Sequence, residues 1–355
     1  MTTTAPRSAS TLEERAALTN GASFWATRPV DGAAPVTFSD GPNGVRAQDM
    51  TQGADHLGLR PSIPATCFPP AVALSQTWDA ELIREVGRAL GREARAASVQ
   101  VLNGPGVNLK RDPRAGRNFE YYSEDPYLTG VLASAWVEGV QSEGVGTALK
   151  HFAANETEHE RFRTSSDVDE RTLRELYLRP FQRVVQTAKP WTVMCSYNRI
   201  NGVPAASNRW LLTDVLRGEW GFDGLVVSDW GAVDDRAASV RAGLDLAMPG
   251  GDAAGDARLV RAVQDGELDE SVLDDAADRV AQLLHRAAAV AGTAAWDADD
   301  HHALARRVAG RAVVLLKNDG DLLPLAPGGS IAVIGELART PRYQGGASAR
   351  ISSSG

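Results

Sequence analysis

The chain has 355 residues, 43% of them hydrophobic and 23% charged, with a formal net charge of -8. That composition is the composition of an ordinary folded protein and excludes a disordered one. The acidic balance, with no Lys/Arg run interleaved with aromatics, excludes a surface for phosphate backbones, so no nucleic-acid partner is expected.

In chain order, the N-terminus MTTTAPRSASTLEERAAL lacks the apolar core of a secretory signal, and no later window reaches the length of a membrane span. No membrane partner is expected, and a cytoplasmic location is. Strand candidates lie at 36–39, 99–102, 147–149, 192–196, 225–228 and 244–247, each a short run rich in branched apolar residues. Between them lie segments of helical period: AELIREVGRALGREARAA, GVLASAWVEGVQSE, ERTLRELYLRPFQRVVQ and NRWLLTDVLRGEWG. Strands alternating with helices on this scale predict βα units around a parallel sheet, and the length suits a closed, TIM-like (β/α) barrel over 1–290.

A polar hinge, GTAAWDADDHHALA, leads to a linker expected at 291–310, in which His301 and His302 read as solvated surface. Two apolar runs, RAVVLLKNDGDLLPL and SIAVIGELA, then look like the opening of a second α/β (sandwich) domain over 311–355. So short a remainder can hardly cover both faces of a parallel sheet, and the expectation is an incomplete domain. Unfinished apolar strands predict association, either as a homo-oligomer or with a missing C-terminal domain. Two cysteines, Cys67 and Cys195, form no disulfide framework and read as reduced thiols.

The residues just after each strand are more informative than the strands themselves. DGPNGVR (40–46) succeeds the first, NGPGVN (103–108) the second, KHF (150–152) the third, Tyr197-Asn198 the fourth, Asp229-Trp230 the fifth and MPG (248–250) the sixth. Polar and aromatic residues thus gather where the C-terminal ends of strands belong, the face on which barrels carry their sites. The stretch LVVSDWGAV (225–233) poses the question most sharply, because a buried-looking strand stops on a carboxylate. Asp229 can cap the helix suggested by DDRAASVRAG, or it can stand at the barrel mouth and do chemistry.

Taken together, the carboxylates of Asp40 and Asp229, the cations Arg46, Arg117, Lys150 and Arg161, and the polar groups of His151 and Tyr197 suit a ligand rich in hydroxyls. Trp230 offers a face for an apolar sugar surface. HERFR (159–163) fails the H-E-x-x-H pattern because position 163 is Arg, so no metal site is expected. Neither GPGVNL nor GPNGVR fits a dinucleotide or P-loop fingerprint, and no cofactor is expected. In GRNFEYYSEDPYLTG, Glu120, Glu124 and Asp125 are candidate reactive acids, the last two reading rather as first-turn acids of a helix starting at Ser123. Asp245 reads as structural.

SDGPNGVR, GPGVNLKRDPRAGRNFEYYSEDPYLTG, ALKHFAANETEHER, MCSYNRINGVPAASN and GFDGLVVSDWGAV, five blocks in order from residue 39 to 233, resemble the N-terminal barrel of glycoside hydrolase family 3 in its β-glucosidase-like branch. LLKNDGDLLPL is similar to the entrance of that family's α/β-sandwich domain. The resemblance implies a retaining, exo-acting β-glycosidase that releases terminal non-reducing β-D-glucosyl residues, with β-glucosides or oligosaccharides as substrates. It makes Asp229 the catalytic nucleophile, and places Asp40, Arg46, Arg117, Lys150, His151, Arg161, Met194 and Tyr197 around the terminal sugar. The family's N-acetylglucosaminidases carry K-H-F-P-G-H-G, whereas Ala-Ala-Asn-Glu comes after KHF here, which disfavours that branch.

A retaining glycosidase also needs a protonated carboxyl about 5–5.5 Å from the nucleophile. In this branch that Glu comes from the second domain, and no residue among these 355 matches it. The expected function is a β-glucosidase-type glycoside hydrolase whose general acid/base is missing from this chain, the alternative being a catalytically impaired or non-catalytic carbohydrate-binding barrel.

Overall fold

The computed structural model describes residues 11–48, 60–290, 292, 294–342, 344 and 350–353. Its centre is a parallel sheet of five strands lying side by side in chain order: β1 Phe38–Asp40, β2 Val101–Asn103, β3 Gly146–Phe152, β4 Thr192–Cys195 and β5 Leu225–Ser228. Phe38 pairs with Val101 at one side and Thr192 with Leu225 at the other. All seven residues of β3 are buried, as a parallel strand covered on both faces demands.

The sixth strand expected at 244–247 is reduced to two bridges. Leu246 pairs with Val227 and Ala247 with Asn20. From there the segment around 19–26 carries the ring back to the start: Gly21 N–H donates to Ala247 O at 3.0 Å, and Phe38 N–H donates to Trp25 O at 2.8 Å. Loop backbone thus supplies the partners that would otherwise be missing at both sheet edges.

Helices cover the outside. Ala80–Ala96 is capped by Asp79, whose side chain accepts from Leu82 N at 3.0 Å, and it buries Leu82, Ile83, Val86, Ala89 and Leu90. It packs on helix Pro126–Ser142 through two facing glycines. A Cβ on Gly87 would lie 2.5 Å from Trp136 O, and one on Gly139 would collide with Arg84 O, so larger residues would push the helices apart. The second helix starts at Pro126, with Asp125 accepting from Tyr127 N and Leu128 N at 2.7 and 3.1 Å; Asp125, not Ser123, is its cap. The helix expected over 170–186 is interrupted: Leu178 N–H reaches back five residues to Leu173 O, and Pro180, which has no N–H, is the second residue of the next segment, Arg179–Ala188.

Beyond the barrel one expectation needs correcting. Helix Ala298–Ala312 begins inside the stretch read as a polar hinge, and His301 is buried in it rather than solvated. Its Nδ1 lies 2.6 Å from Glu93 Oε1 and its ring stacks on Trp296, while Glu93 also accepts from Thr66 N. This network docks the helix on Ala80–Ala96. After it, 313–335 contains no strand, and Val313, Leu316, Val333 and Ile334 stand exposed. The two apolar runs have no partner strand among the described residues, and a parallel strand cannot form alone. Residues 350–353 return to the barrel, with Ile351 in its main core. No helix among the described residues is long and apolar enough to cross a membrane.

Candidate functional site

The chain after β5 turns sharply. Asp229 N–H donates to Cys195 O at 3.1 Å, and Asp229 Oδ1 accepts from Trp230 N at 2.8 Å. Its other oxygen, Oδ2, is buried with no hydrogen-bond partner in the protein. Asp229 caps no helix. That task falls to Asp235, which accepts from Ala238 N at 3.0 Å at the start of Arg236–Ala242.

β3 brings His151 to the same place, with Nε2 at 3.8 Å from Asp229 Oδ2. Asn108 fixes the ring: its Oδ1 accepts from His151 N at 2.8 Å and lies 3.3 Å from Nδ1, while its Nδ2 donates to His151 O. Tyr121 Oη lies 3.2 Å from the same Nδ1. Burial, then the charges of Arg117, Lys150 and Arg161, push the His151 pKa well below that of a free imidazole, so the ring is neutral at physiological pH.

Asp40, at the end of β1, shares a corner with Lys150 and Arg46. Burial raises its pKa above the usual carboxylate range, while Lys150, a hydrogen bond from Asn103 at 3.4 Å and Arg46 pull the other way. Arg117 pairs with Glu120 and lies 3.9 Å from Glu158, which in turn pairs with Arg161 at 2.8 Å. The Arg161 guanidinium sits 4.4 Å over the Tyr197 ring, and Tyr197 Oη donates to Trp230 O at 2.9 Å. Trp230 Nε1 donates to Phe24 O at 2.7 Å, with its ring 5.3 Å from Trp25. Met194 is buried in β4, within the apolar cluster against which Trp230 packs.

The structure therefore gathers Asp229, His151, Arg117, Lys150, Asp40 and Arg46 at the C-terminal mouth, with Arg161, Tyr197 and Trp230 as a bonded rim and Met194 in the interior. Sequence reasoning missed the supports. Glu120 had the i,i+3 spacing to Arg117 as a signal, but nothing in the sequence pointed to Glu158 bridging two arginines, or to Asn108 and Tyr121 holding a histidine. Glu156, whose Oε1 accepts from Leu109 N at 3.3 Å, is a half-buried carboxyl whose pKa burial raises to about 7. Asp245 is structural: its oxygens take Arg217, Arg279 at 3.0 Å and Val226 N at 2.7 Å. Among the described residues no group of His, Cys, Asp and Glu is arranged to hold a metal ion.

The fold and the site define an α/β barrel with a charged mouth suited to a polyhydroxylated ligand. The chain belongs to glycosyl hydrolase family 3: residues 47–283 match the family's N-terminal domain. It is 49% identical over 344 residues to the thermostable β-glucosidase B of Acetivibrio thermocellus, covering 96% of this chain and 45% of that protein. It is 50% identical over 354 residues to an exo-α-(1→6)-L-arabinopyranosidase of Bifidobacterium longum, covering 96% and 46%. It superposes with a TM-score of 0.91 on the β-glucosidase of Kluyveromyces marxianus solved in complex with glucose, at 33% identity, covering 98% of this chain and 42% of that one. The chain thus spans about half the length of these relatives.

Proposed function

We propose that this chain is the nucleophile-bearing, sugar-binding part of a retaining exo-acting β-glycosidase of the β-glucosidase type. The observation that carries the reading is the Asp229 carboxylate, buried at a barrel mouth with one oxygen lacking a protein partner and a neutral His151 beside it. The substrate is a terminal non-reducing β-D-glucosyl residue. Asp229 attacks its anomeric carbon, the bond to the leaving oxygen breaks, and a general acid protonates that oxygen. Water, deprotonated by the same group acting as base, then frees the sugar from Asp229. Asp40 accepts from sugar hydroxyls, Arg46, Lys150, His151, Arg117 and Arg161 donate to them, and Tyr197, Trp230 and Met194 shape the pocket. The acid/base is assigned to a group outside residues 1–355.

Without that group, turnover of poor leaving groups falls by something like 10²–10⁴-fold, whereas an aryl glucoside needs little protonation. The chain is expected to hydrolyse 4-nitrophenyl β-D-glucoside, and Asp229→Asn to abolish this while leaving the melting temperature unchanged. Near-normal turnover by that variant would end the assignment. A wild-type chain that binds glucose in calorimetry but turns over no aryl glucoside would be a carbohydrate-binding barrel instead. Because one relative is named an arabinopyranosidase, 4-nitrophenyl α-L-arabinopyranoside belongs in the same assay.

A further inference from the structure

The cation Arg46 is 2% exposed, and two of the atoms that hold it are backbone carbonyls from distant segments: Nε donates to Arg350 O at 3.0 Å and Nη2 to Arg60 O at 3.3 Å. Arg350 lies 304 positions later in the chain, yet residues 350–353 are built into the barrel wall. Ile351 is 2% exposed and packs over Gly44, two residues before Arg46; a Cβ on Gly44 would collide with Ile351 Cδ1 and lie 2.6 Å from Thr66 O. Ser352 and Ser62 exchange hydrogen bonds, N–H to Oγ in both directions, at 2.9 and 3.1 Å. Ala65 N–H donates to Ser352 O at 2.9 Å, and Ala65 forms a parallel bridge with Ser353. The strip 62–65 leans in turn on the residues just after Arg46, since Ile63 N–H donates to Ala47 O at 2.8 Å.

We propose that 350–353 is a positioning element of the sugar site: Ile351 anchors it, and the Arg350 carbonyl orients the Arg46 guanidinium beside Asp40. This rests on the sugar-binding reading above and adds to it that a segment far beyond the barrel's last strand tunes the site. An unrestrained Arg side chain has many rotamers, and freezing them when a ligand binds opposes affinity. A carbonyl held by a buried isoleucine settles that orientation before ligand arrives, which is how preorganisation raises affinity.

The test measures glucose affinity by titration calorimetry and the Arg46 Nε–H resonance by ¹⁵N NMR, on the 355-residue chain and its variants. Ile351→Ala should weaken glucose binding about tenfold, as loss of one hydrogen bond to a charged group predicts, and expose Nε–H to rapid exchange. Ile351→Val should restore both, and Ile351→Ala should add no further loss in an Arg46→Ala background. A merely structural role would lower the melting temperature of Ile351→Ala and leave affinity and resonance in place, which would overturn the proposal, as would full additivity with Arg46→Ala. Should Ile351→Ala fail to fold, Ser352→Ala loosens the same segment by removing one bond to Ser62, and unchanged affinity there would overturn it too. If the wild-type chain binds no glucose, the sugar reading falls, while the resonance still decides whether 350–353 positions Arg46.

Discussion

Asp229 Oδ2 is buried at the barrel mouth without a hydrogen-bond partner in the protein. Burying a polar atom without a hydrogen bond costs about 1–3 kcal/mol, a cost that a ligand hydroxyl or water at the mouth would remove. Glu156 shows the same physics through its proton. Its pKa is raised to about 7 by burial, against 4.5 for a free Glu, so the folded chain keeps a proton that the unfolded chain has released above pH 4.5. Stability from this group is complete below pH 4.5 and is lost as pH rises through about 7. Glu156→Gln, neutral at every pH, should raise the melting temperature at pH 8 by roughly 2–6 °C and barely change it at pH 5. An equal shift at both pH values in paired thermal melts would show that the carboxyl is not so perturbed.

Among the elements, β5 is where sequence and packing must be separated. Three of the aspartates around it have different employments. Asp235 caps Arg236–Ala242, Asp245 ties Arg217 and Arg279 to the backbone of Val226, and Asp229 does neither. Asp245 has no exposed side-chain surface, so Asp245→Asn leaves two cations short of a countercharge and is expected to destabilise by about 3–5 kcal/mol in urea unfolding. Asp235→Ala should cost about 1 kcal/mol, the usual value of an N-cap. A denaturation midpoint for Asp245→Asn no lower than that of Asp235→Ala would mean the buried ion network contributes little to holding the helices on the sheet.

For the whole molecule, the contrast is between a closed barrel and an open tail. The barrel buries its apolar residues around β1–β5, whereas 313–342 displays Leu316 at 91% and Ile334 at 89% exposure. Apolar residues so displayed drive association. The 355-residue chain should therefore sediment above its monomer mass of 37.8 kDa at micromolar concentration, and Leu316→Lys with Ile334→Lys should return it to that mass without changing its melting temperature. A wild-type chain that already sediments as a monomer would refute this.

The βα alternation was legible because periodicity and β-branched runs are local properties, and β5 runs over 225–228 as its sequence suggests. The residues at the strand ends were legible too, since a parallel barrel sends every strand's C-terminus to one face. Local signals misjudged features that depend on distant partners. His301 read as solvated because nothing in its neighbourhood shows Glu93, 208 positions away, and 244–247 read as a strand although only isolated bridges form there. Local pattern was enough for the family, the barrel and the charged residues that end its strands, but not for Glu120 and Glu158, which pair with Arg117 and Arg161. Long-range packing settled that Asp229 caps no helix, that Asn108 and Tyr121 hold His151, and that Arg46 is gripped from residue 350. Each of these depends on which distant backbone and side-chain atoms come within about 3 Å of one another, the range in which hydrogen bonds act.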